Sequence, residues 1–151
     1  MRLVIQRVKQ SSVTIDNKVV ASIQHGLMIL LGIEPTDTPD DVDYLCGKAS
    51  RLRIFDDENG VMNKSVTDVN GELLVVSQFT LYAQTSKGNR PSYIRAARPE
   101  QAIPLYELFI KKIEETSGIK PQTGQFGAMM DVALINDGPV TIIIDSKQRE
   151  F

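Results

Sequence analysis

Two short stretches hold the residue types from which chemistry could be built. "SQFT", residues 77–80, places a hydroxyl, an amide, an aromatic ring and a second hydroxyl in succession. "NDGPVT", residues 136–141, puts Gly138-Pro139 between two apolar runs, "VALI" and "TIII". Proline has no N–H to give to a sheet ladder, so it belongs at strand ends, edges or bulges. An X-Pro bond is also where a cis peptide costs little. The pair therefore either ends a strand or aims a backbone group. "SQFT" is open in the same way. Its polar groups either satisfy one another at a strand edge, or its backbone N–H groups point at a developing oxyanion.

Several kinds of catalysis lack the residues they need. His25 is the only histidine and Cys46 the only cysteine, so no zinc-type cluster can be assembled. His25 stands before Gly26 between two strand-like runs, a turn position, and no serine has the G-x-S-x-G surround of a nucleophile elbow. No glycine-rich loop joins a strand to a helix in the manner of a phosphate cradle. "DDEN", residues 56–59, lacks the remainder of a calcium loop and reads as a solvated turn. An enzyme of this composition would work without histidine, metal or nucleotide cofactor, by positioning and backbone dipoles.

The net charge of −2 does not advertise nucleic-acid binding, and its distribution says more. "KGNRPSYIRAAR" carries Lys87, Arg90, Arg95 and Arg98 with no acidic residue. Because salt screens charges beyond about 10 Å, such a strip can meet phosphates on an acidic protein. It is equally a solvated basic loop. A lone cysteine implies no internal disulfide and a reducing compartment, read here as the cytoplasm. No apolar run reaches membrane-spanning length, and Arg2 and Arg7 interrupt the N-terminal run.

The elements that must position these groups follow from periodicity. The 151 residues suit one domain, with no shift of composition and no repeat. "RLVIQRV", "SVTI" and "KVVASI" read as strands, with Asp16-Asn17 as a hairpin turn. "GLMILLGI" is a strand covered on both faces. Thr38-Pro39-Asp40-Asp41 opens a helix carrying Val42, Leu45, Cys46, Ala49 and Leu52 on one face. "RIF" resumes as strand, and Asn59-Gly60 and Asn70-Gly71 mark turns. "ELLVVSQFTLYA", residues 72–83, is expected to be strand throughout. A second helix spans about 99–116, kinked at Pro104 and ended by Gly118. "GAMMDVALIN" and "GPVTIIID" close the sheet as two strands. The fold class is α+β: a mostly antiparallel, barrel-like sheet with two helices on one side.

Together these stretches resemble the D-aminoacyl-tRNA deacylase family, also called D-tyrosyl-tRNA deacylase. The resemblance rests on two complete motifs, S-Q-F-T-L at Ser77–Leu81 and N-x-G-P-V-T at Asn136–Thr141. "IQRV", "SSVTI", "LLGI", "RIFDDENGVMN", "GNRPSY" and "QTGQFGAMM" extend it from Met1 to about Asp145, leaving the tail 146–151 at the periphery. It implies a homodimer that hydrolyses the ester between a D-amino acid, or glycine, and the 3′ adenosine of tRNA. It implies no cofactor or metal, and no membrane or DNA partner. The implied catalytic set is Ser77, Gln78, Phe79 and Thr80, with backbone N–H groups near Phe79 and Thr80 polarising the ester and a tRNA ribose hydroxyl helping to activate water. Gly138 and Pro139, joined by a cis peptide, would reach into the partner's site and exclude L-amino acids. Phe126, Met129 and Met130 would line the adenosine pocket or serve as plain core. Lys87, Arg90, Arg95 and Arg98 would meet tRNA phosphates. Two other readings stand beside this one: a non-catalytic tRNA- or RNA-binding module, and a dimeric interaction domain.

Overall fold

Alternation decides how this chain is layered. The computed structural model describes residues 1–150. β1 (Arg2–Ile15) turns through Asp16-Asn17 into β2 (Lys18–Ile23), and β3 (Gly26–Gly32) follows. Both turn residues have positive φ, 49° and 63°, as the Asp-Asn pair led one to expect. Then come α1 (Pro39–Arg51), the small hairpin β4 (Phe55–Asp56) and β5 (Met62–Lys64), and β6 (Glu72–Ser77). A 3₁₀ turn (Phe79–Tyr82), α2 (Pro99–Ser117), β7 (Gln122–Thr123) and β8 (Asp131–Asp145) complete the chain.

The main sheet runs β2-β1-β3-β6-β7, with β8 on the other side of β1. β1 pairs antiparallel with β2, β3 and β8, but β3–β6 and β6–β7 are parallel, so the sheet is mixed. It curls until β2 approaches β6 and β7 and is nearly closed like a barrel. One side chain in two enters each core. Leu27, Ile29, Leu31, Leu73 and Val75 join Val42, Leu45, Phe109 and Ile113 of the packed helices. Met28, Leu74 and Val76 point the other way, to Val8, Val13, Ala21 and Ile23. The unbroken apolar runs of β3 and β6 exist because both faces are covered.

Two elements depart from the sequence reading. The strand expected over 72–83 stops at Ser77, and Phe79–Tyr82 coil into the 3₁₀ turn. The two strands expected around Gly138-Pro139 are one, β8. Its ladder with β1 holds at Val8↔Asn136 and resumes at Gln6↔Thr141, so four residues of β8 stand opposite Arg7 alone. Proline is tolerated there because a bulge asks no N–H of it. The second helix runs unbroken through Pro104 and ends at Gly118, whose φ of 73° and N–H to Glu114 O form the left-handed cap. Gly26 meets a different demand: a Cβ there would lie 2.0 Å from Glu72 O.

The start of α1 ties down the C-terminal segment. The Asp41 carboxylate accepts the Thr38 N–H at 2.8 Å and faces Lys147 Nζ at 3.1 Å. Ser146 is buried, and Arg149 Cζ lies 3.8 Å from the centre of the Tyr44 ring. Phe151 lies outside the described residues. Burial alone would raise the Asp41 pKa, but hydrogen bonds from Ser146, the Thr38 N–H and Lys147 outweigh it and hold it down to about 2. A depressed carboxylate stabilises the fold above its unfolded value and loses that effect as pH falls towards the folded one. Asp41→Asn is therefore expected to cost about 1 kcal/mol at pH 7, roughly 3 °C in Tm. The gap in thermal melts should narrow as pH drops below about 4. Equal melting of the two proteins at pH 7 would contradict this.

Candidate active site

The break between β6 and the 3₁₀ turn makes the site. Gln78 N–H still donates to Leu31 O of β3, at 2.8 Å, and beyond it the backbone leaves the sheet. The first N–H groups of any helical turn have no partner within it. Here those of Phe79 and Thr80 have no acceptor among the described residues, while the next one, Leu81 N–H, returns to Gln78 O. Two adjacent free donors at the end of a buried strand are what a developing oxyanion requires. The Gln78 amide donates to Thr80 Oγ1, so that hydroxyl is held in place by its neighbour.

Ser77, Gln78, Phe79 and Thr80 line a cavity of about 400 Å³ together with Phe126, Met129 and Met130. The two groups are over forty residues apart in sequence. The parallel β6–β7 pair brings them together, with Leu74 beside Gln122 and Val75 beside Thr123. Below the cavity floor Leu31 and Val76 belong to the core, whereas Phe79 is 56 % and Met129 92 % exposed. Phe126 packs at a tilt on Tyr106, ring centroids 5.6 Å apart, so it serves cavity and core at once.

Gly138 and Pro139 are not in this cavity. They lie at the opposite end of the strands. Gly138 adjoins Arg7, which pairs with Leu27 of β3, whereas Ser77 pairs with Leu31. Four residues of strand, about 13 Å, separate those levels. The Gly138–Pro139 bond is cis and Gly138 has φ +128°, which disfavours any side chain. A Cβ there would also come within 2.9 Å of Arg7 Nη2. Both residues of the pair are exposed.

Two residues to which the sequence reading gave no role at the site hold this bulge. Asn136 spans it: its Oδ1 accepts the Val140 N–H at 3.0 Å and its Nδ2 donates to Thr141 Oγ1 at 3.1 Å. Arg7 is only 7 % exposed. It donates to Asp137 O at 3.1 Å and Ile54 O at 2.7 Å, with the Asp56 and Asp137 carboxylates each 3.4 Å away. The signal was present: Leu3, Ile5 and Arg7 alternate along one face, so the arginine stands where an apolar residue should be. His25, in the turn after β2, lies edge-on to Phe55 and brings Nε2 to 3.8 Å from Asp137 Oδ2.

The four basic residues are spread over a loop and the start of α2, and none of them lines this cavity. Gln84 and Ser92 bridge a loop that carries Lys87 and Arg90, both exposed. Arg95 lies 3.7 Å from Glu34, and Arg98 stands at the start of α2. Cys46 is not available as a nucleophile, since burial, helped by Asp43, pushes its thiol up to about 12. Among the described residues no helix is long and apolar enough to cross a membrane.

Known proteins resemble this chain over nearly its whole length. The chain is 63 % identical over 150 residues to the D-aminoacyl-tRNA deacylase of Flavobacterium psychrophilum, covering 99 % of this chain and 100 % of that one. A D-aminoacyl-tRNA deacylase of Bacteroides fragilis is 61 % identical with the same coverage. Among solved structures, one described as c-Myc DNA Unwinding Element Binding Protein superposes with a TM-score of 0.89 at 40 % identity, over 96 % of this chain and 98 % of that one. A probable eukaryotic D-amino acid tRNA deacylase shares the fold, with a TM-score of 0.81 at 16 % identity, over 95 % of this chain and 97 % of the other. The family model described as D-Tyr-tRNA(Tyr) deacylase matches residues 4–145, and the chain belongs to that family of ester-cleaving hydrolases.

Proposed function

We propose that this protein hydrolyses the ester linking a D-amino acid, or glycine, to the 3′ adenosine of tRNA, in the cytoplasm and as a homodimer. The observation that carries the proposal is the pair of N–H groups without an acceptor at Phe79 and Thr80, two residues that line one cavity with Phe126, Met129 and Met130, in a chain of the deacylase family. An aminoacyl ester is already activated, so donors aimed at its carbonyl oxygen supply the kind of help it needs. Ser77 and Gln78 shape the pocket. Phe126, Met129 and Met130 hold the adenosine, and Lys87, Arg90, Arg95 and Arg98 meet the phosphates of the tRNA end.

The second half of the proposal concerns handedness. The Gly138 carbonyl of one protomer receives the substrate α-ammonium in the site of its partner, and Pro139 stiffens the approach. Three features support a crossing of this kind. Gly138-Pro139 is exposed and lies about 13 Å of strand from the level of its own cavity. Arg7 and Asn136 fix its backbone. The adjoining face of β8 is left uncovered, with Ile135 and Ile143 about half exposed. In this arrangement a D side chain points away from the Gly-Pro unit and an L side chain runs into it.

Two experiments examine these halves separately. Hydrolysis of D-, L- and glycyl-tRNA by the same preparation should give comparable rates on the first and third. A clash of about 3 kcal/mol should slow the L-ester by 10²-fold or more. Equal rates on D- and L-esters would overturn the steric account.

The chemistry is tested at Thr80. With no histidine available to take its proton, and its hydroxyl engaged by Gln78, Thr80 is a poor nucleophile. Thr80→Ala should retain kcat/KM within about tenfold. A loss of about 10³-fold with an unchanged melting temperature would make Thr80 the nucleophile instead.

A further inference from the structure

A second cavity opens beside the first. It measures about 470 Å³ and is lined by Phe79, Tyr93, Ile94, Ala97, Arg98 and Phe126, among others. Phe79, Ala97 and Phe126 line both cavities, so the two adjoin across shared walls. The first cavity lies within the size range of a site for one small ligand. The second is therefore room beyond what a terminal aminoacyl-nucleoside needs.

The lining is unusual for a surface. Ile94 is 80 % exposed and Tyr93 40 %, and both lie next to the exposed Phe79. Phe79 and Tyr93 stand edge to face, ring centroids 5.1 Å apart at 76°. Large apolar side chains gathered in one exposed place mark a binding surface. An aromatic wall with a cation beside it suits a nucleobase, because every base has a π-face and its phosphate carries a charge. Arg98 is part of the wall itself, and no acidic residue occurs between Gln84 and Arg98. Arg95, three residues earlier, is drawn towards Glu34. Arg98 is thus the cation placed to meet a phosphodiester lying between the two cavities.

We propose that this second cavity is a subsite for the nucleotide that precedes the terminal adenosine: its base against Tyr93, Ile94 and Phe79, its connecting phosphate at Arg98. The inference rests on the proposed function for the identity of the ligand, but it can be tested without catalysis. A single-stranded 3′ end would then be gripped at two successive bases. The enzyme would distinguish a tRNA end from a free aminoacyl-nucleoside, and would do so through shape and stacking rather than base-edge hydrogen bonds.

The test compares binding of adenosine 5′-phosphate, of cytidylyl-(3′→5′)-adenosine, and of the same dinucleotide with the first base removed. All three lack an amino acid, so the measurement does not depend on ester hydrolysis. The intact dinucleotide should bind about fivefold to a hundredfold more tightly than the mononucleotide, and loss of its first base should remove most of that gain. Tyr93→Ala should abolish the gain without weakening the mononucleotide, and Tyr93→Phe should restore it. Arg98→Gln should weaken both dinucleotides and flatten their salt dependence by about one unit of slope. The proposal falls if Tyr93→Ala weakens the mononucleotide equally, since the cavity would then hold the adenine. It also falls if the abasic dinucleotide binds as well as the intact one. A protein that shows the full dinucleotide gain yet hydrolyses no D-aminoacyl-tRNA would keep the subsite and lose the proposed function.

Discussion

The buried guanidinium of Arg7 is the constraint on which the rest of this structure turns. A cation on the helix-facing side of a strand costs much to desolvate unless its donors are met. Two backbone carbonyls, Ile54 O and Asp137 O, and two nearby carboxylates meet them. The price is paid in strand register. β8 cannot run flat past Arg7, so it inserts extra residues there and pushes Gly138-Pro139 outward. Asn136 closes the gap in the ladder with its own amide. A stiff, solvent-facing piece of main chain results from satisfying one buried charge.

The other end of the sheet uses the opposite device. There the ladder is ended rather than bulged. β6 is parallel to both of its neighbours, and its last residues leave the sheet in a 3₁₀ turn whose first donors are unspent. Side chains around it hold shape: Gln78 engages Thr80, and Phe126 braces against Tyr106. The lone thiol is buried and the lone histidine sits far down the strands by Asp137. In the proposed function, chemistry and selectivity both fall to main-chain groups, and side chains act by placing them.

This division explains what could be read from the sequence. Local signals were legible where one residue type answers one backbone demand. Asp16-Asn17, Asn70 and Gly118 all take the positive φ expected of them, and Thr38 to Asp41 open a helix. The α+β class followed from the alternation of apolar runs. Both motifs, Ser77–Leu81 and Asn136–Thr141, were visible as well. The 3₁₀ turn was not, because Phe-Thr-Leu-Tyr has the alternation of a strand and only its departure from β3 reveals it. The parallel pairing of β6 was hidden too, since parallel and antiparallel neighbours place the same demands on a fully covered strand. Arg7 read as an interruption of an apolar run because its partners, Ile54 and Asp137, are distant in the chain. A resemblance to a family named the ligand, but the separation of Gly138 from its own cavity emerged only from the strand registers.

The central claim is that backbone groups from two protomers surround the reacting ester. The most direct measurement is a crystal structure with a D-amino acid joined to adenosine through a non-hydrolysable amide. The account predicts the acyl oxygen within about 3 Å of the N–H groups of Phe79 and Thr80, and the α-ammonium at the Gly138 carbonyl of the other protomer. An acyl carbon facing the Thr80 hydroxyl in line for attack, or an ammonium held wholly within one chain, would contradict it.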